Sequence, residues 1–293
     1  MIAMRRHFVR SSAISSNDKK GGDGLSKFII TRYTADSKQH LQQPVRIAHV
    51  SDLHERDCDD IMDAIKKERP DLIFITGDTF ERYDNRPQYE FERRPLKRLI
   101  INILHYSNYV LTKLLPKRAK ADEENVLRFL REAVTVAPVY ISLGNHEEKL
   151  LHRDYRFLRD VGVTLLDNAD IDLKVRDFQC VLGGMSCWDY EEWLPTFLNK
   201  DGYKILLCHK PNQYAELLTD SGVDLTLSGH THGGQVLIGK KGVGFFVPGQ
   251  GLFGKLAHGR FFDGRLIVSA GCANTVACPR FFNPRELVMI EVR

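Results

Sequence analysis

The chain has no run approaching about 18 uninterrupted apolar residues, so a membrane-spanning helix is not expected. Its six cysteines, Cys58, Cys180, Cys187, Cys208, Cys272 and Cys278, contain no Cys-x-x-Cys pair. That scatter argues against a zinc ribbon or a disulfide framework and for thiols kept in a reducing compartment. Basic residues occur in the opening Met1–Phe8, but no apolar core of a signal peptide follows before Ser15, and a cytoplasmic location is expected. A large excess of one charge is also lacking: 42 Lys and Arg against 38 Asp and Glu leave a net charge of +4. No single basic block or aromatic-basic platform marks a nucleic-acid binder, so a nucleic-acid partner is not expected.

What is present is an ordinary globular composition, 43% hydrophobic and 27% charged over 293 residues, which allows an ample core. Residues 1–26 are rich in Ser, Gly, Lys and Asp and read as a flexible N-terminal arm. The rest, 27–293, reads as a single domain. Strands are expected at Phe28–Thr34, near a sheet edge, and at Val45–Val50, Leu72–Thr76, Val139–Leu143, Lys204–Cys208 and Val223–Leu227. Helical stripes fall between them, at Ile61, Ala64 and Ile65 before Pro70, from Glu123 to about Val134, and around Tyr214–Leu218. The alternation gives an α/β fold class. From Gly233 to Gly264 the chain is dense in glycine and reads as hairpins on a second sheet. Leu266–Ser269 and Glu286–Ile290 read as closing strands.

An insertion at 80–121 carries Leu96, Leu99, Ile100, Ile103, Val110 and Leu114 at helical spacing among Arg93, Arg94, Lys97, Arg98, Lys113, Lys117 and Arg118. It fits a cap over the site, a peripheral membrane element on an anionic surface, or a helix packed on the domain with its charges solvated.

Five apolar runs end in polar residues with metal-ligating chemistry: Asp52-Leu53-His54, Gly77-Asp78, Gly144-Asn145-His146-Glu147, His209, and Gly229-His230-Thr231-His232. In open α/β sheets the ligand crevice lies outside the carboxyl ends of the strands. Singly, Asp52 fits a turn, Asp78 a helix cap, Asn145 a left-handed residue and His209 a core histidine. Their recurrence at successive strand ends selects a metal site. Asp52, His54, Asp78, Asn145, His209, His230 and His232 offer oxygen and imidazole donors without thiolate, which suits Mn, Fe or Zn. Seven donors exceed one ion that also holds water and suit two divalent ions sharing a carboxylate, about 3.5–4 Å apart.

In this order the motifs resemble those of the calcineurin-like metallophosphoesterase superfamily over about residues 45–235. The tail, with Gly233-Gly234-Gln235 and the 279–286 stretch, is similar to a bacterial subgroup of membrane- or cell-wall-associated phosphoesterases. The resemblance implies a four-layer α/β/β/α sandwich of two mixed sheets flanked by helices. It also implies a dimetal phosphoesterase acting on phosphodiester, pyrophosphate or phosphomonoester bonds. One ion would take Asp52, His54, Asp78 and His232, and the other Asp78, Asn145, His209 and His230. His146 would protonate the leaving group or stabilise the transition state. Glu147 would either polarise His146 or stay solvated, and Arg280 and Asn283 are candidate substrate contacts. Two alternatives are a lipid-nucleotide hydrolase similar to UDP-diacylglucosamine pyrophosphatases and a non-catalytic metal-binding scaffold. The scaffold reading is disfavoured because neither a ligand nor the histidine after Asn145 is missing.

Overall fold

A computed structural model describes residues 28–82, 121–238, 243–275 and 280–293. The arm expected at 1–26 and nearly all of the insertion expected at 80–121 lie outside these residues. In chain order the first part contains β1 (Phe28–Ala35), β2 (Val45–Val50), α1 (Asp59–Glu68), β3 (Leu72–Thr76), α2 (Glu123–Val136), β4 (Val139–Ser142), α3 (His152–Val161) and β5 (Thr164–Leu166). The second contains β6 (Ala169–Val175), β7 (Phe178–Met185), α4 (Trp193–Leu198), β8 (Lys204–Cys208), α5 (Pro211–Gln213) and β9 (Leu225–Ser228). After these come β10 (Leu237–Ile238), β11 (Val243–Val247), β12 (Gly251–Gly254), β13 (Gly259–Phe261), β14 (Leu266–Val268) and β15 (Arg285–Val292).

Two six-stranded mixed sheets form, in the orders β1-β15-β2-β3-β4-β5 and β13-β14-β9-β8-β7-β6. Strand alternation divides the core into layers, because successive side chains point to opposite faces. Val45, Ile47, Leu72, Phe74, Val288 and Ile290 meet Leu182, Ile205, Leu207, Leu227 and Ile267 between the sheets. Their neighbours Ala48, Val50, Ile73, Ile75, Leu287 and Met289 pack outward against α1 and α2. On the far side, Val181, Leu206, Cys208 and Val268 pack against Leu194, Phe197, Tyr214 and Leu218. The result is a mixed α/β fold with helices outside both large sheets.

Helix α1 shows how local chemistry sets an element. Asp59 and Asp60 open it and Lys66 and Lys67 close it, complementing the helix dipole. Ile61, Met62, Ala64 and Ile65 are buried, and Arg69 ends the helix in a left-handed conformation just before Pro70.

Two expectations change in detail, while β1 takes the edge position expected of it. The glycine-dense segment does not simply extend the second sheet: β10, β11 and β12 form a separate three-stranded sheet, and only β13 joins the larger one. The backbones of Gly244 in β11 and Gly234 in the turn after His232 approach so closely that side chains there would collide. Strand β15 sits inside the first sheet between β1 and β2, with β1 at the edge. The segment Tyr214–Leu218 winds as a π-helical turn continuing α5. Among the described residues no helix is long and apolar enough to cross a membrane.

Candidate metal centre

The carboxyl ends of β2, β3, β4, β8 and β9 carry the donor residues, and the chain turns sharply after β2, β3 and β9. Asp52, His54, Asp78, His230 and His232 all have left-handed backbones, with φ of 59°, 50°, 53°, 71° and 47°. Such conformations are disfavoured for residues with a Cβ and cluster at functional sites. Backbone bonds lock the exits together: the Asp52 amide donates to the Gly77 carbonyl at 3.1 Å, and the His54 amide to the Asp78 carbonyl at 2.9 Å. Gly229 is required at the β9 exit, because a Cβ there would overlap Ser51 Oγ and Asp52 Oδ2.

These turns bring together two groups of donors that share Asp78. Ligand atoms of Asp52, His54, Asp78 and His232 lie within 4.8 Å of one another, as do those of Asp78, His209 and His230. His232 Nε2 is 3.4 Å from Asp52 Oδ1, and His54 Nε2 is 3.5 Å from Asp78 Oδ2. His209 donates from Nδ1 to the Thr76 carbonyl at 2.6 Å, which turns its Nε2 towards Asp78 Oδ2, 3.2 Å away. Asn145 follows β4, and its Oδ1 is buried without a hydrogen-bond partner among the described residues. Unpartnered buried acceptors are costly in a folded protein. In the turn whose next residue, His146, donates its amide to the Asp78 carboxylate, such an acceptor fits a divalent metal centre.

Charge is concentrated here. Burial alone would raise the Asp78 carboxyl, but the neighbouring charges of His209, His146 and His54 hold it well below the usual carboxylate range. Asp52 is depressed in the same way: burial opposes ionisation and His232, His54 and His209 overcome it. Burial disfavours a charged His54, yet hydrogen bonds to Asp52 and Glu81 and the Asp78 charge lift its imidazole to about 10. His209 is likewise raised to about 9, with burial outweighed by Asp78. The centre is thus a buried pair of carboxylates held ionised by the imidazoles that surround them.

His146 stands beside this cluster, with Nε2 3.9 Å from Asp78 Oδ2 and its backbone amide donating to Asp78 Oδ1 at 2.9 Å. The carboxylate that meets its Nδ1, at 2.8 Å, is Glu81. Glu147 neither polarises His146 nor stays solvated, which corrects both sequence expectations. The three-residue 3-10 turn Asn145–Glu147 folds it back so that its buried carboxylate accepts from the amides of Asp78, Thr79, Phe80 and Gly144. Glu81 was missed because it stands alone in sequence three residues past Asp78; its only signal was that proximity.

Arg280 and Asn283 come to the same turn from the C-terminal tail and contact His232. Arg280 Nη2 is 3.2 Å from His232 Nδ1, and its Nη1 donates to the Ala270 carbonyl at 2.6 Å. Asn283 Nδ2 donates to the His232 carbonyl at 2.7 Å.

Comparison with known proteins agrees with this site. A family model described as calcineurin-like phosphoesterase matches residues 45–234, the span from β2 to the His230–His232 turn. The chain is 27% identical over 212 residues to YpbG of Bacillus subtilis (strain 168), covering 70% of this chain and 68% of that protein. It is 25% identical over 288 residues to a metallophosphoesterase of Aquifex aeolicus (strain VF5), covering 90% and 91%. A shorter match, 29% over 132 residues, relates it to the phosphodiesterase YaeI of Escherichia coli (strain K12), covering 41% and 48%. The matched span carries the two donor groups and His146, and the chain belongs to the calcineurin-like phosphoesterase family of metal-dependent phosphoester hydrolases.

Proposed function

We propose that the centre holds two divalent ions and hydrolyses phosphodiester bonds. Asp52, His54, Asp78 and His232 would hold one ion, and Asp78, Asn145, His209 and His230 the other. The observation that carries this reading is the Asp78 carboxylate shared by the two donor groups, with His209 Nε2 3.2 Å from it and an unpartnered Asn145 Oδ1 in the turn after β4. When bound, a pair of Mn, Fe or Zn ions supplies Lewis-acid polarisation of phosphoryl oxygens and lowers the pKa of a coordinated water.

The protein's own groups do the rest. Glu81 accepts from His146 Nδ1 and fixes the ring so that Nε2 faces the centre. From there Nε2 passes a proton to the leaving-group oxygen. Burial of Asp52, His54, Asp78 and His209 excludes bulk water from the donor side and strengthens each electrostatic contact. The name of the Escherichia coli relative, a phosphodiesterase, favours a diester over a monoester. A nucleotide- or lipid-linked pyrophosphate belongs in the substrate panel because the same chemistry cleaves it.

The test is hydrolysis of paired chromogenic phosphodiester and phosphomonoester substrates by metal-stripped protein, titrated with Mn, Fe, Zn and Mg. Diester turnover with a transition metal is expected, with metal lost in Asp78→Asn. His146→Ala should retain metal but lose rate by roughly 10²–10⁴. Two bound metals with no turnover of any phosphoester in the panel would return the protein to a binding role.

A further inference from the structure

Two turns from different sheets meet beside His230. After β8, Lys210 leaves the strand in an extended conformation and leads into α5, which opens on Pro211. Its carbonyl accepts from the Gln213 amide at 3.1 Å and from the Cys208 thiol at 3.5 Å, which fixes the turn that carries Asn212. Between β11 and β12, the Gln250 amide donates to the Val247 carbonyl at 3.0 Å, with Pro248 and Gly249 at the corner. Gly249 sits at φ 72°, as the second corner residue of a proline-glycine turn of this kind does. A side-chain carbon built on Gly249 would meet Asn212 Oδ1 at 3.4 Å and His230 Nε2 at 3.7 Å. The two polar atoms therefore face one spot beside the metal centre, and glycine keeps that approach clear of a side chain.

The polar groups at this spot are unmatched. Asn212 Oδ1 is buried without a partner, and its side chain makes no hydrogen bond among the described residues. Lys210 is half-buried. Among the described residues its ammonium meets no carboxylate, whereas Lys38, Lys66 and Lys200 are each paired with an acid. The Lys210 charge still bears on the centre: burial first, then the His209 charge, hold His230 well below an ordinary 6.5, and Lys210 adds to that shift.

Chemistry selects the occupant. A buried acceptor left unpaired is costly, and so is a cation partly withdrawn from water without a counter-charge. A ligand that brings an anion to Lys210 and a hydroxyl donor to Asn212 removes both costs. A phosphoryl group held at the metal centre supplies the anion, and a hydroxylated group esterified to it supplies the donor.

We propose that Lys210 and Asn212 form a subsite for a sugar or polyol phosphate, the lysine on a phosphoryl oxygen and the asparagine on a hydroxyl. The proposal rests on the hydrolytic reading and narrows it: the diester that is cleaved carries a hydroxylated group next to the scissile phosphate.

The test is calorimetric binding of two phosphonates that cannot be hydrolysed, butylphosphonate and 3,4-dihydroxybutylphosphonate, to the full-length, metal-loaded protein. Wild type is expected to bind the dihydroxy probe roughly 3–10-fold more tightly. Lys210→Ala should weaken both probes by about 10–100-fold, and Lys210→Arg should recover most of that affinity. Asn212→Ala should abolish the preference for the dihydroxy probe and leave butylphosphonate binding unchanged. All three variants should load metal as wild type does. The proposal is overturned if wild type binds neither probe or shows no preference, or if Lys210→Ala binds both as wild type does. It is also overturned if Lys210→Ala and Lys210→Arg are both short of metal, which would assign the lysine to the architecture of the centre. The expected binding pattern in a protein that cleaves no diester would sink the hydrolytic reading and leave the subsite standing. Diester turnover with binding indifferent to both residues would do the reverse.

Discussion

His54 and His146 are joined through one carboxylate: Glu81 Oε1 lies 2.9 Å from His54 Nδ1, and Oε2 lies 2.8 Å from His146 Nδ1. The two rings meet edge to face with centroids 4.5 Å apart. Burial pushes the Glu81 carboxyl up, but hydrogen bonds from both imidazoles bring it down to about 2. One anion therefore orients a residue of the donor cluster and the residue poised to move the proton.

Replacing Glu81 separates those two duties. A glutamine has one acceptor oxygen and a donor amide, so Glu81→Gln satisfies one Nδ1–H and opposes the other. Groups that orient metal ligands from behind are worth roughly 10–100-fold in affinity or activity. The expected result is a kcat loss in that range with KM little changed and a flatter pH–rate profile, while Glu81→Asp recovers part of the rate. Steady-state kinetics alongside metal analysis checks it.

Glu147 should matter to stability more than to the proton step. Its carboxylate accepts from four backbone amides in the turns after β3 and β4, and burial raises its pKa, with the nearby Asp78 charge adding to the rise. Glu147→Ala leaves buried donors unpaired at about 1–3 kcal/mol each before relaxation. Urea unfolding of the metal-stripped protein should show a loss of at least about 3 kcal/mol. In wild type under the same conditions the Asp78 turn should remain protected from hydrogen exchange.

The strands, the α/β class and the donor residues were legible because their signals are local. A β-rich apolar run such as Leu72–Thr76 carries its own periodicity, and Asp78 is two residues from its end. Glu81 and Glu147 were not legible in the same way, because their meaning comes from partners brought together by the fold. His146 is 65 positions from Glu81, and the amides that hold Glu147 lie up to 69 positions away. The independent sheet of β10–β12 escaped for a related reason. Glycine density announces turns, but which sheet a short strand joins depends on close backbone approaches such as Gly234 on Gly244.

Gly229 tests whether the β9 exit sets the centre. A Cβ there overlaps Ser51 Oγ and Asp52 Oδ2, and both belong to the turn that His230 caps by donating its amide to Asp52 at 3.1 Å. Gly229→Ala is expected to lower metal content severely and to abolish turnover. Far-UV circular dichroism should stay near wild type, since the six strands of the second sheet are anchored elsewhere. Normal metal loading in this variant would show that the turn adapts.

The pair of His258 and Glu286 predicts a pH dependence separate from the metal centre. Its 2.8 Å contact ties the segment before β13 to β15. The Glu286 charge raises His258 above its ordinary 6.5. Burial pushes Glu286 up, but the His258 charge and hydrogen bonds from His258, Thr31 and the Ala270 amide leave it below its ordinary 4.5. A raised histidine contributes stability that is complete below 6.5 and is lost as pH rises through its folded-state value. A depressed glutamate contributes stability that is complete above 4.5 and is lost as pH falls through its folded-state value. The two windows overlap between about pH 4.5 and 6.5. His258→Gln should therefore be less stable than wild type by about 2 kcal/mol there, with the gap narrowing above that window and again below it. Urea unfolding of both proteins at several pH values measures the gap directly, and taking the difference removes titrations common to both. A gap that widened with rising pH would show that the histidine is not held in its charged form.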